Sequence, residues 1–215
     1  MAVKGPGLGS AGRSTARRQA TRDAVVDTAL RLFAERGYLG VRIEDIATAA
    51  GVSRATFYKY FAEREEILAE LFERLLGREP EPDPAGSTPT GSTEERVTVV
   101  VEAAARQMLQ QEQLARFVYS LPLRHSALLR PGARSTPYVL LQVSQLLARG
   151  LATGDVRDDL PVDLLTRHVH AALETAMRDW AQGQTDNPVA HLRALLGLAF
   201  HGVARAGRRP RLRTS

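Results

Sequence analysis

Apolar residues recur at three- and four-residue intervals along almost the whole chain, and nowhere do they alternate one-for-one with polar residues over a strand's length. That spacing is the helical period. Val25, Ala29, Leu32 and Phe33 predict a helix over 17–36, which Gly37 ends. Ile43, Ile46, Ala47 and Ala50 share one face over 43–50. Gly51 breaks that run, and Ser53 stands where its hydroxyl can cap a helix from Arg54 to Tyr60. Ile67, Leu68, Leu71, Phe72, Leu75 and Leu76 stripe a longer helix over 63–76. Further helices are predicted over 94–110, 112–121, 137–151, 161–182 and 188–205. The one β-branched cluster, "VTVVV" at 97–101, falls inside a helical stripe. The predicted fold class is all-α.

One stretch breaks the pattern. Residues 77–92, "GREPEPDPAGSTPTGS", have no apolar period and predict a flexible linker. Residues 1–16 read as a disordered basic tail and 207–215 as a second basic tail. Between these breaks lie an N-terminal domain at 17–62, a connecting helix at 63–76 and a second helical domain at 93–206.

The segment "AGVSRATFYKYFAEREEIL", 50–68, carries the most chemistry. A core helix would not hold Arg54, Thr56 and Lys59, and an ordinary surface helix would not hold Phe57, Tyr58, Tyr60 and Phe61. Phe57 and Phe61, four apart, share a face and are expected to anchor on Leu32, Phe33 and Ile46. Arg54, Thr56 and Lys59 are left outward, with Tyr58 and Tyr60 flanking them. Two short helices around a glycine turn, set between longer ones, make a helix-turn-helix. In DNA-binding versions the second helix enters the major groove. Arg54 could then read guanine bidentately, and Thr56 could meet a thymine methyl or a phosphate. The tyrosines could pack on sugar while their hydroxyls meet phosphate. Glu63 and Arg64, opening the next helix, stand where free N–H groups attract phosphate. Spacing alone leaves a second reading open, because such units also serve purely structural ends in all-α proteins.

The totals narrow the function classes. With 215 residues, 44% hydrophobic and 25% charged, the chain is ordinary for a globular protein with a sizeable core. It has no cysteine, which excludes disulfide scaffolds and thiolate metal sites and makes a reducing cytoplasm the expected compartment. No apolar run approaches the ~20 residues of a membrane span. The N-terminus is basic but lacks the hydrophobic stretch of a secretory signal. The formal charge is +5, and its placement matters more than its size. Lys4, Arg13, Arg17, Arg18 and Arg22 precede the first acid, Asp23; Arg205, Arg208, Arg209, Arg211 and Arg213 close the chain. Such ends are either solvated tails or skim the phosphates of a nucleic acid.

Catalysis and metal binding find little support. His168 and His170 are two apart on a helix and point to different faces, while His125, His191 and His201 have no acidic or histidine partner at ligand spacing. Asp155, Asp158, Asp159 and Asp163 cluster in a turn, as capping and solvated groups do. No phosphate-cradling glycine loop and no nucleophile motif occurs. Neither an enzyme nor a cofactor is expected.

The run "GYLGVRIEDIATAAGVSRATFYKYFAEREEIL", 37–68, resembles the DNA-binding segment of the TetR (tetracycline-repressor-like) family of bacterial transcription regulators. The match lies in Gly37-Tyr38, "DIA", "AAGVS", "TFYKYF" and "EEIL", and direct resemblance covers about residues 20–70. It implies that Thr56, Tyr58, Lys59 and Tyr60 contact bases and phosphates, with Ser53 as cap. Two positions depart from the family. Arg42 replaces a capping threonine, so the phosphate contact could survive as a salt link while the cap is lost. Arg64 replaces a lysine, keeping the charge with a different reach. The resemblance further implies a homodimer on a double-stranded, pseudopalindromic operator, with the last two helices pairing as a four-helix bundle. Ala172, Ala176, Leu192, Leu195, Ala199 and Val203 are the expected interface, unless these helices simply close the monomer's own core. It also implies a small-molecule effector within the second domain that moves the fourth helix. Met108, Phe117, Tyr119, His125, Tyr138, Met177 and Trp180 are the candidate lining, or else ordinary core. The expected function is a ligand-released repressor. Its alternatives are an effector-independent regulator or activator, and a helical binding module without DNA.

Overall fold

The computed structural model describes residues 10–76, 91–121 and 138–202. Every regular element among them is helical: α1 (Ser10–Arg36), α2 (Ile43–Ala49), α3 (Arg54–Tyr58), α4 (Arg64–Leu76), α5 (Thr93–Leu109), α6 (Glu112–Ser120), α7 (Tyr138–Thr153), α8 (Val162–Ala181) and α9 (Pro188–His201). A 3-10 turn, Tyr38–Gly40, follows α1. The all-α expectation holds, and "VTVVV" lies within α5. Among the described residues no helix is long and apolar enough to cross a membrane. The chain divides into two compact units, with the break in α4 between Arg74 and Leu75.

In the first unit, Val25, Val26, Ala29, Leu32 and Phe33 of α1 are at most 3% exposed. α1 packs on α2, and α2 on α3. Charge ties α1 to α4 at the surface. Arg22 meets Glu70 at 2.7 Å, and Arg74 spans Asp23 and Asp27, one turn apart, at 2.6 and 2.7 Å. The helix α1 begins at Ser10, ahead of the expected start at 17. Residues 12–20 are exposed on every side, so this extension has no apolar stripe to reveal it. Within α1 the Thr21 hydroxyl donates to the Arg17 carbonyl one turn back, at 3.0 Å.

The second unit is built on α8, which packs against α6, α7 and α9, while α5 packs against α7 and α9. α5 opens with a capping box. Ser92 Oγ accepts from the Glu95 N–H at 3.3 Å, and Glu95 accepts from the Ser92 N–H at 2.9 Å. Ser92 is thus structured at the end of the predicted linker, of which 77–90 lies outside the described residues. Asp155, beyond α7, accepts from the Thr93 N–H, and hydrogen bonding from Thr93, its side chain first and then its backbone, holds the carboxyl below the usual range. Gly150 leaves the space into which Thr93 and Val156 pack. Glu102, 4% exposed, is a buried carboxylate that binds Arg106 of α5 and Arg193 of α9.

Candidate nucleic-acid interface

Ile46 and Ala47 bury the inner face of α2. Arg42 stands at its N-cap, and a guanidinium has no acceptor to offer the first turn. The expected loss of the side-chain cap is offset in part, because the Asp45 carboxylate accepts from the Arg42 N–H at 2.9 Å. The turn that follows is closed by Gly51 N–H to the Thr48 carbonyl at 3.1 Å and Val52 N–H to the Ala47 carbonyl at 3.0 Å. Gly51 sits at φ +68°, where a side chain would be strained. Ser53 then caps α3, accepting from the Thr56 N–H at 3.0 Å, while the two hydroxyls share a bond of 2.8 Å.

α3 is regular only from Arg54 to Tyr58, two residues short of the expected end at Tyr60. The chain tightens there, with Lys59 N–H bonding to the Thr56 carbonyl and Tyr60 N–H to that of Phe57. Phe57 and Phe61 are buried at 0% and 1%, with ring centroids 5.9 Å apart. Leu32, Phe33 and Ile46 are buried as well. Arg22, counted among the basic residues of the tail, lies 4.8 Å over the Phe61 ring and belongs to the packing.

The other side of α3 faces solvent. Arg54, Tyr58 and Lys59 are exposed there, and Thr56 and Tyr60 are half-buried. Arg54 is not loose. Its Nη2 is 3.2 Å from Glu44 Oε1 of α2, and its guanidinium carbon is 5.7 Å from the Tyr58 ring centroid. Hydrogen bonding with Tyr58, then the charge of Glu44, raises the already high pKa of this arginine. Glu44 is the residue that spacing missed, since its partner is on another helix and no periodicity links them.

Arg64 departs from expectation. Its Nη1 donates to the carbonyls of Tyr38 and Val41 at 3.0 and 2.8 Å, and its guanidinium lies 4.1 Å over the Tyr38 ring. The charge is engaged by the loop before α2, because two carbonyls and a ring converge where the longer, planar fork can reach them. Tyr38 in turn donates to Glu65 at 2.9 Å, and burial, helped by that bond, pushes its phenol up to about 12. Ahead of α4 the Ala62 N–H is already taken, donating to the Glu66 carboxylate at 2.8 Å.

In the second unit Met108, Phe117, Tyr119, Met177 and Trp180 are all buried, Tyr138 is half-buried, and His125 lies outside the described residues. The structure brings part of this set together. The Tyr119 hydroxyl donates to Met108 Sδ at 3.4 Å, and burial, with the charge of Glu174, holds its phenol well above the usual range. Arg116 covers the Trp180 ring at 4.2 Å. A cavity of about 130 Å³ opens elsewhere, among Leu147, Val156, Leu165, Val169, Ala199 and Phe200, with Arg157 and His168 also on its wall. None of the expected lining residues borders it.

The expected interface divides in two. Ala172, Ala176 and Leu192 are 8%, 0% and 0% exposed, so they close this chain's own core. Leu195 and Ala199 are half-buried, and Val203 lies outside the described residues. The histidines do find acids in space: His191 meets Asp179 at 2.8 Å and His201 meets Glu94 at 2.9 Å, partners distant in sequence. Among the described residues no three His, Asp or Glu side chains gather as a metal site would need.

Comparison with known proteins agrees with this geometry. Residues 25–71 match the family described as bacterial regulatory proteins, tetR family. The chain is 26% identical over 182 residues to the fatty acid metabolism regulator protein of Bacillus subtilis (strain 168), covering 83% of this chain and 93% of that one. It is 26% identical over 200 residues to the HTH-type transcriptional repressor KstR2 of Rhodococcus jostii (strain RHA1), covering 88% and 94%. Among solved structures, that of FadR from Bacillus subtilis in complex with stearoyl-CoA shares the fold, with a TM-score of 0.64 at 22% identity over 84% of this chain and 98% of that one. The helix-turn-helix built around Gly51 lies within residues 25–71, the segment that matches the tetR family of bacterial regulatory proteins, and the fold is one that solved regulators of that kind share.

Proposed function

We propose that this protein is a homodimeric repressor that holds a pseudopalindromic operator through α3 and releases it when a small molecule enters the second unit. The observation that carries the reading is the division of α3. Phe57 and Phe61 lock it into the first unit, while Arg54, Thr56, Tyr58, Lys59 and Tyr60 stand on its open side. A short helix anchored by two buried rings, with cationic, hydroxyl and phenolic groups left around its outer surface and end, suits a groove lined by acceptors and phosphates.

One such helix reads only a few base pairs, so affinity calls for two, on half-sites about 34–36 Å apart. Support for the pairing face comes from what α8 and α9 leave uncovered. Ala190, Ala194 and Leu198 of α9 are exposed, Leu198 at 49%, and nothing lies within 4 Å of a Cβ placed on Gly197. On α8, Leu164 at 41% and Ala171 are exposed as well. Small and apolar side chains there allow helices to approach closely. For the effector, an apolar or acyl-bearing molecule is supported by the mainly apolar cavity among Leu147, Val156, Leu165, Val169, Ala199 and Phe200, and by the likeness to a fatty acid metabolism regulator.

The test is fluorescence anisotropy on duplex DNA from upstream of this protein's own coding sequence, across a salt series, against random DNA. Tight, salt-dependent binding that an Arg54→Ala/Tyr58→Phe variant loses supports the reading. Failure of the wild type to bind either DNA at low salt overturns it.

A further inference from the structure

We infer that Glu44 is a positioning residue that sets base preference through Arg54; the inference rests on the DNA-binding reading above. Glu44 lies in the first turn of α2, 52% exposed at its side chain, and reaches across to the first residue of α3. Arg54 Nη2 is 3.2 Å from its carboxylate, and the same guanidinium lies against the Tyr58 ring, one turn further along α3. The arginine is thus held by a charge from one helix and a ring from the next, although its own side chain is 65% exposed.

Such an arrangement has little to do with holding the fold. An ion pair this open contributes little to stability. A carboxylate on a face that must meet phosphates also opposes every DNA sequence alike. What it does supply is orientation. An arginine fixed before contact loses less freedom on binding, and its donor fork keeps nitrogens beyond Nη2 for the two acceptors on the guanine edge. Phosphate affinity is given up in exchange for discrimination at the base pair under Arg54.

The experiment selects preferred sequences from a random duplex library with the full-length protein, then measures binding to every single-base variant of the selected site. Wild type, Glu44→Gln, Arg54→Ala and the double variant are compared. Glu44→Gln is isosteric and exposed, and unchanged circular dichroism and melting would show that it folds. The expected result is that Glu44→Gln binds random DNA more tightly yet loses about fivefold or more of its discrimination, at the same base pair that Arg54→Ala affects. In the Arg54→Ala background the Glu44 change should then alter discrimination no further, because the two act as one unit. An unchanged preference profile for Glu44→Gln overturns the inference, and so does a change at a different base pair, which would mean direct base contact by the carboxylate. If the wild type selects no sequence at all, the DNA-binding reading fails first and takes this one with it.

Discussion

Arg64 and Tyr38 show how one side chain's partners decide its role. Arg64 bridges the carbonyls of Tyr38 and Val41 and covers a ring, so its removal strands two acceptors in a half-buried loop. Arg64→Ala should therefore destabilise the first unit by about 2 kcal/mol, the scale of charge-assisted hydrogen bonds. Arg64→Lys should recover only part of this, because an ammonium cannot hold both carbonyls and the ring in one plane. Denaturant melts of the three proteins check this, and equal stability would remove the structural role. Tyr38 carries a pH signature. Its phenol is raised from 10.0 to about 12 by burial and by Glu65, so the folded state holds that proton more tightly than the unfolded chain. Its contribution to stability is then complete below pH 10 and fades as pH rises towards 12. Ultraviolet titration should show a phenol ionising late that is missing in Tyr38→Phe.

At the scale of elements, the exposed start of α1 separates binding from folding. Residues 12–20 are exposed and outside the core of the first unit, so deleting residues 1–16 should change its melting little. The same deletion removes Lys4 and Arg13 and shortens the arm that presents Arg17 and Arg18. DNA binding should weaken about uniformly across sequences, with the salt slope flattened by roughly 0.9 for each phosphate that is no longer neutralised. A change in sequence preference instead would make the arm a reader of a groove. α3 is short for a helix and would not hold alone; the Ser53 cap and the Phe57–Phe61 pair hold it. Much of this was legible beforehand. Cap, glycine turn and paired rings are local signals within "GVSRATFYKYF", and the structure places each where the spacing puts it. The exposed stretch of α1 was not legible, because a helix segment with no buried apolar face leaves no apolar stripe.

At the scale of the whole molecule, the proposed dimer makes the sharpest demand. Leu198→Glu alters a residue that is 49% exposed and outside this chain's own core, so the monomer should still fold. Sedimentation should show it monomeric, with operator affinity reduced to that for an isolated half-site. A variant that stays dimeric would move the interface off this face of α9. An effector must likewise prefer the state that cannot hold DNA, and by linkage the operator must weaken effector binding by the same factor.

The sequence by itself determined the helices, the turn between α2 and α3, and the anchoring rings, because each depends on residues within a few positions of one another. Tertiary structure alone decided that Arg64 turns inward to two carbonyls, that Glu44 reaches Arg54, and that His201 meets Glu94 across the second unit. It also decided which side of α8 and α9 is core. Small and apolar residues run around more than one face of these helices, so periodicity offers no unique inward direction. Only packing against α5, α6 and α7 put Ala172, Ala176 and Leu192 inside and left Ala194 and Leu198 towards solvent.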